Sequence, residues 1–288
     1  MTRREIWRFL AVTFAAGFAL QLLAIGQGVH GNGRNWLMLV MWAPAAGALS
    51  SRAARAAAKA ALKKCGLRWI GTALAVGWSL TLVQTALLWL SGGGRWNSEQ
   101  FARGPHGIEG VHKVAMVLGV GAQGFGFFAL NIFLSITLGS LITGLIGGLG
   151  EELGWRAVLQ PELERRWGAA RGSLAAGLIW AYWHVPVNLA GYNDPVHPLW
   201  NTLVFFPLVV TAMAFSFGWL TRRTGSVWPA AMAHGANNVI GSGFLLAPTA
   251  WAWDTGTMLI AAALVGGFFA LRAWRRGPAI AEAGLAAA

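Results

Sequence analysis

The sequence predicts an all-α, polytopic integral membrane protein of about eight transmembrane helices, with both termini in the cytoplasm. Three observations predict it. Of the 288 residues, 56% are hydrophobic and only 11% are charged, less than half the charged share of about 25% in soluble domains. Apolar runs of the roughly 20-residue length that crosses a bilayer recur along the whole chain. Basic residues segregate between alternate segments. Of 22 Lys and Arg, 18 fall on the side that an inside N-terminus makes cytoplasmic, and only Arg34, Arg95, Arg103 and Lys113 fall on the other, as the positive-inside rule requires.

Arg3, Arg4 and Arg8 stand at the start of an apolar run over 6–26. It is longer than a signal-peptide core and has no clean small-x-small cleavage pattern, so it reads as a retained first span. A second span covers 35–50. The Ala/Lys/Arg stretch 52–64 reads as an amphipathic helix on the inner membrane surface, held there by anionic lipids. A third span covers 69–91, and the polar stretch 91–113 is a loop. The run 114–149 is too long for one simple crossing, so 114–138 belongs to a long tilted helix or to a re-entrant piece. Spans at 172–190, 199–220, 226–246 and 256–274 complete the set. Trp7, Trp69, Trp89, Trp167, Trp219, Trp228 and Trp274 fall near span ends, where interfacial anchors sit. The chain reads as a single membrane domain, 1–288, with its motif-bearing core at 140–245.

Several function classes fall away. The net charge of +12 suggests a nucleic-acid partner until its distribution is considered: the bases lie in short clusters between spans and form no single basic face. One cysteine, Cys65, excludes an internal disulfide and a cysteine-based zinc cluster. HExxH, GxGD and GxSxG signatures are absent. Gly119–Gly124 fits GxGxxG but lacks the strand–helix setting of a dinucleotide site. Gly144-x-x-x-Gly148 reads as a close helix-packing face.

Polar residues inside spans are costly and mark function by default. Three groups stand out: Gly150-Glu151-Glu152-Leu153-Gly154-Trp155-Arg156, Trp180-Ala181-Tyr182-Trp183-His184-Val185-Pro186-Val187-Asn188, and Ala233-His234-Gly235-Ala236-Asn237-Asn238. Glu152 and Arg156 are i, i+4 with the acid first, the favourable order for an ion pair. Glu151 then faces elsewhere, toward an apolar stripe of Trp155 and Val158, as a general base would. His184 and Asn188, like His234 and Asn238, share a helix face. Asn188 reads as partner to a backbone group freed by Pro186. His30, His106, His112 and His197 fall in outer loops, and the other eight acids lie near surfaces or in loops.

Depth joins the three groups. Glu151 is 14 residues from Arg165, His184 is 13 from Arg171, and His234 and Asn238 are 11 and 15 from Arg223. At about 1.5 Å per residue all four lie roughly 16–23 Å from the cytoplasmic face. One intramembrane site, reached from the cytoplasm, accounts for that common level.

Glu151-Glu152-x-x-x-Arg156, Trp180-x-x-x-His184 and His234-x-x-x-Asn238, in that order, resemble the CAAX prenyl protease and bacteriocin-processing family (CPBP, also called ABI) of intramembrane proteases. The likeness covers about 140–245 and is nearest the bacterial members. Trp180 departs from it, since Phe usually opens the second motif. The resemblance implies an endopeptidase of the bacterial inner membrane that cleaves a peptide or lipid-associated protein. Glu151 and His184 would activate water, His234 and Asn238 would stabilise the oxyanion, and Glu152 with Arg156 would support them. Members have also been described as metallopeptidases, which would make Glu151, His184 and His234 zinc ligands. Metal-free glutamate catalysis is the preferred reading. The rivals are a non-catalytic immunity or scaffold protein of the same fold, and a proton-coupled transporter using the buried Glu and His.

Overall fold

The structure is a computed structural model and describes residues 1–104, 107–111, 115–121, 124–241 and 244–275. His106, His112, Lys113 and Arg276 lie outside the described residues, as do Ala122 and Gln123 of the GxGxxG match.

Helix α1 (Arg3–Gly26) opens with a capping box. The Thr2 hydroxyl accepts from the Glu5 N–H at 3.3 Å, and the Glu5 carboxylate accepts from the Thr2 N–H at 2.8 Å, so two end donors are satisfied reciprocally. The segment expected as a span over 35–50 is two short helices, α2 (Arg34–Val40) and α3 (Ala43–Ala48). α4 (Arg52–Ala61) is capped by Ser51, whose hydroxyl accepts from Ala54 N–H. α5 (Leu67–Ser91) follows. The polar stretch after it departs from the all-helical expectation. β2 (Phe101–Gly104) pairs antiparallel with β3 (Gly107–Val111), and β1 (Gly94–Trp96) pairs with the distant β4 (Leu246–Pro248). The latter ribbon ties the end of α5 to the start of α13 (Trp251–Trp274).

The two acids lie on a long helical succession. α6 (Phe125–Thr143) passes through a π-helical turn (Gly144–Gly148) into α7 (Leu149–Gly154). A second π turn (Trp155–Leu159) leads to α8 (Gln160–Trp183). From Phe125 onward the apolar run is continuous with the Glu-bearing helix, whereas 115–121 is non-helical and folds back on α6, Ser135 Oγ accepting from the Val117 N–H and Asn131 Oδ1 from the Leu118 N–H at 3.0 Å each. The succession reverses within α8 at Gly168, whose φ of 79° and ψ of 160° belong to a region closed to side-chain-bearing residues. After α9 (Val185–Leu189) come α10 (Pro198–Trp200), a further π turn (Asn201–Phe205) and α11 (Phe206–Thr224).

Among the described residues five helical runs are long and apolar enough to cross a membrane: Arg3–Gly26, Leu67–Leu90, Phe125–Trp183, Pro198–Thr224 and Trp251–Trp274. α12 (Trp228–Val239) is shorter than the expected span over 226–246, because Ile240 turns extended and ends it. Pro229 through Ala236 is buried without interruption. A segment buried on every side belongs in a core, and α12 packs against α5, α6 and the Gly144–Gly148 turn. The Gly144/Gly148 face permits this approach. A Cβ on Gly148 would stand 2.7 Å from the Ala231 carbonyl oxygen and 3.2 Å from His234 Cβ, and one on Gly144 2.8 Å from the same carbonyl. Gly148→Leu is expected to lower stability by about 1–3 kcal/mol or more through overpacking, read as a lower thermal midpoint in detergent.

The basic segments gather at one end of the bundle. The Met1 ammonium contacts Glu162 at 3.2 Å, and Arg166 donates to the Met1 carbonyl. Arg222 pairs with Glu164, Ser226 donates to the Lys63 carbonyl at 2.7 Å, and the Trp228 indole donates to Leu62. At the opposite end the Trp251 indole donates to Asp194 and His30 meets the Gly191 carbonyl. Partial burial pushes the Asp194 carboxyl up, but the N–H groups of His197 and Val196 and the Trp251 indole outweigh it and hold the group below its usual range.

Candidate active site

α7 lies between two π turns and carries both acids inward: Glu151 is 2% exposed and Glu152 not at all. Buried charges need partners, and Glu152 has two. Its Oε1 accepts from Arg156 Nη1 at 3.3 Å and meets His234 Nδ1 at 2.8 Å. Its Oε2 makes an ion contact to Arg156 Nε at 3.2 Å that is not an aligned hydrogen bond. The guanidinium lies over the Trp180 ring at 4.1 Å and near Phe217 at 5.3 Å, so its faces are also occupied. The i, i+4 pairing is legible in sequence. The bridge to His234, 82 residues away, is not.

Glu151 is held differently. Its Oε2 accepts from Trp180 Nε1 at 2.5 Å and from Trp155 Nε1 at 3.3 Å. Its Oε1 takes no donor from the described residues. The apolar stripe expected beside Glu151 therefore also solvates it. An indole is an apolar body with one N–H donor, and both indoles spend that donor on the same carboxylate oxygen. At Trp180 the departure from the family's usual Phe supplies a bond that Phe cannot make. Trp180→Phe keeps the ring and removes this charge-assisted hydrogen bond, worth about 1.5–3 kcal/mol. The expected result is a kcat lowered by roughly tenfold or more with KM little changed, measured on detergent-solubilised protein.

His184 sits where α8 stops. Pro186, two residues on, has no N–H and disfavours further helix. The His184 N–H consequently bonds the Ala181 carbonyl at 3.0 Å, and the Trp180 carbonyl is met instead by His184 Nδ1 at 2.9 Å. A carbonyl only accepts, so Nδ1 carries the proton and the neutral ring keeps its lone pair on Nε2. Trp183 and Phe206 wedge the ring at centroid distances of 4.7 and 5.0 Å. His234 is fixed by the same logic, with Nδ1 donating to Glu152. Trp180 is common to both, its ring 6.4 Å from His184 and 5.5 Å from His234.

Asn238 lies one turn beyond His234 on α12. It is exposed and makes no hydrogen bond among the described residues. Asn188 departs from expectation: its Oδ1 accepts from Asn193 at 2.7 Å, tying the turn after α9 and not a carbonyl freed by Pro186. Glu164, expected as a surface acid, is instead part-buried. It accepts from Gln160 and Ser173 at 2.8 Å each and pairs with Arg222. Only the Gln160–Glu164 spacing hints at this cluster in the sequence.

A zinc site would need Glu151, His184 and His234 to converge on one point. Among the described residues no three His, Cys, Asp or Glu side chains come together to hold a metal ion. Glu151 spends an oxygen on the two indoles, and the Trp180 ring packs beside both imidazoles.

No curated protein matches the chain. The five long apolar runs, taken with the family match that follows, make the protein a multi-pass integral membrane protein in a lipid environment. Glu151, Glu152, Arg156, Trp180, His184, His234 and Asn238 all fall within residues 133–240, the stretch that matches the Rce1-like family, described as type II CAAX prenyl endopeptidase Rce1-like.

Proposed function

We propose that the protein is a glutamate-type intramembrane endopeptidase acting on a peptide or lipid-associated protein approached from the cytoplasmic side of a bacterial inner membrane. One observation carries the reading. A buried carboxylate has one oxygen fixed by two indole donors and the other without a donor among the described residues, and two imidazoles share one of those indole rings.

In this mechanism a water bound at Glu151 Oε1 also donates to the lone pair on His184 Nε2. Glu151 takes its proton as the oxygen attacks the scissile carbonyl carbon. His234, its Nδ1–H anchored on Glu152, presents Nε2–H to the developing oxyanion when it carries a second proton; Asn238 presents its amide N–H beside it. The proton held by Glu151 passes to the leaving amine, the tetrahedral intermediate collapses, and the carboxylate is restored. Glu152 and Arg156 touch no reacting atom and are positioning residues. Asn238→Ala is expected to lower kcat about 10²-fold or more, as loss of an oxyanion donor does, with an unchanged thermal midpoint because the side chain is exposed and unbonded.

The test is cleavage by purified protein of peptides ending in a cysteine motif, with and without a farnesyl group, followed by mass spectrometry. Cleavage that is lost in Glu151→Gln and survives a chelator supports the reading. A Glu151→Gln protein that keeps both its fold and its cellular phenotype points to the non-catalytic alternative.

A further inference from the structure

A cavity separate from the candidate active site lies where the basic segments gather. It has a volume of about 360 Å³ and lies between the last turns of α11 and α13, lined by Trp219, Arg223, Phe268, Leu271, Arg272 and Arg275. Its three guanidinium groups have no ion pair among the described residues. The neighbouring Arg222 is by contrast committed to Glu164. Two of the three lie against rings that line the same cavity: Arg223 is 5.9 Å from the centre of Trp219 and Arg272 4.5 Å from that of Phe268. Such stacking occupies a guanidinium's face and leaves its N–H edge for an oxyanion.

Bases at this end also mark topology, but topology alone requires neither a cavity nor convergence. Three arginines around one hollow, without an ion pair among the described residues, match the charge and the several acceptor oxygens of a phosphate group. The apolar surroundings identify the source of that phosphate. Ile260, Leu264, Phe268 and Leu271 of α13 are 50–60% exposed and recur at helical spacing, so they form one stripe leading along the span into the cavity. A free phosphate has no use for that stripe, whereas an acyl chain lies along it.

We infer that this cavity is a headgroup site for an anionic phospholipid, with the phosphate among Arg223, Arg272 and Arg275 and the acyl chains along the α13 stripe. A lipid held here braces α13 against α11.

Native mass spectrometry of the intact protein tests this, after exchange into detergent with phosphatidylglycerol or phosphatidylcholine. Wild type is expected to retain one phosphatidylglycerol that resists delipidation and no such phosphatidylcholine. The combined Arg223→Gln, Arg272→Gln, Arg275→Gln variant is expected to bind it roughly tenfold or more weakly, and the matching Lys variant is expected to recover part of the loss. Arg3→Gln with Arg4→Gln, exposed and remote from the cavity lining, serves as a control that leaves retention unchanged. Undiminished retention in the triple Gln variant overturns the proposal. So does equal retention of phosphatidylcholine, or displacement of the retained lipid by inorganic phosphate. Should the triple variant fail to purify, Arg272→Gln alone carries the same reading, since its side chain is exposed and stacks only on Phe268.

Discussion

Glu151→Gln is expected to abolish measurable cleavage while leaving the protein folded. The amide oxygen of glutamine still accepts from the Trp180 and Trp155 indoles, and the side chain keeps its volume in a site only 2% exposed. What disappears is the proton acceptor on the free oxygen. General-base catalysis contributes about 10²–10⁴-fold, so kcat/KM is expected to fall by at least that factor. Thermal unfolding, followed by tryptophan emission, is expected to stay within a few degrees of wild type. A variant that keeps its midpoint and still cleaves at a tenth of the wild-type rate removes Glu151 from the mechanism.

Arg156→Met is expected to be the most destabilising single change at the site. It leaves the Glu152 carboxylate, fully buried, with His234 as its remaining partner. Breaking a buried pair by deleting one member costs about 3–5 kcal/mol. Packing over Trp180 and Phe217 is lost as well. Replacing both members, Glu152→Leu with Arg156→Met, is expected to recover much of the stability, because an apolar pair of similar volume needs no solvation. Cleavage is not expected to recover, since His234 then has no acceptor for Nδ1–H and its ring is free to turn. An Arg156→Met protein with a wild-type midpoint rules out the Glu152 charge as the reason for Arg156.

Much of the architecture was legible because membrane spans announce themselves by length and apolarity. α1, α5, α11 and α13 fall close to the apolar runs at 6–26, 69–91, 199–220 and 256–274. Gly144-x-x-x-Gly148 packs against α12 as its spacing suggests. The breaks were harder. Nothing in hydropathy separates α2 from α3, and the early end of α12 depends on the extended backbone at Ile240. Within the site, motif spacing finds residues on one helix, such as Glu152 and Arg156. It is silent on contacts between helices, such as His234 to Glu152 or Trp180 to Glu151. A residue counted as apolar in every periodicity argument turns out to carry the donors that hold the principal acid.

The π turns on either side of α7 have an effect on angular phase. Each winds one residue more than an α-helical turn does, and one residue in an α-helix corresponds to about 100° of rotation. The lipid-facing side of α6, the inward Glu pair and the Gln160–Glu164 face of α8 are therefore set on three independent bearings along one rod. Removing a single residue from either turn would swing one bearing against the next with every site side chain still present. The direction in which Glu151 points is thus encoded in residues 144–148 and 155–159, in the count of residues more than in their identity.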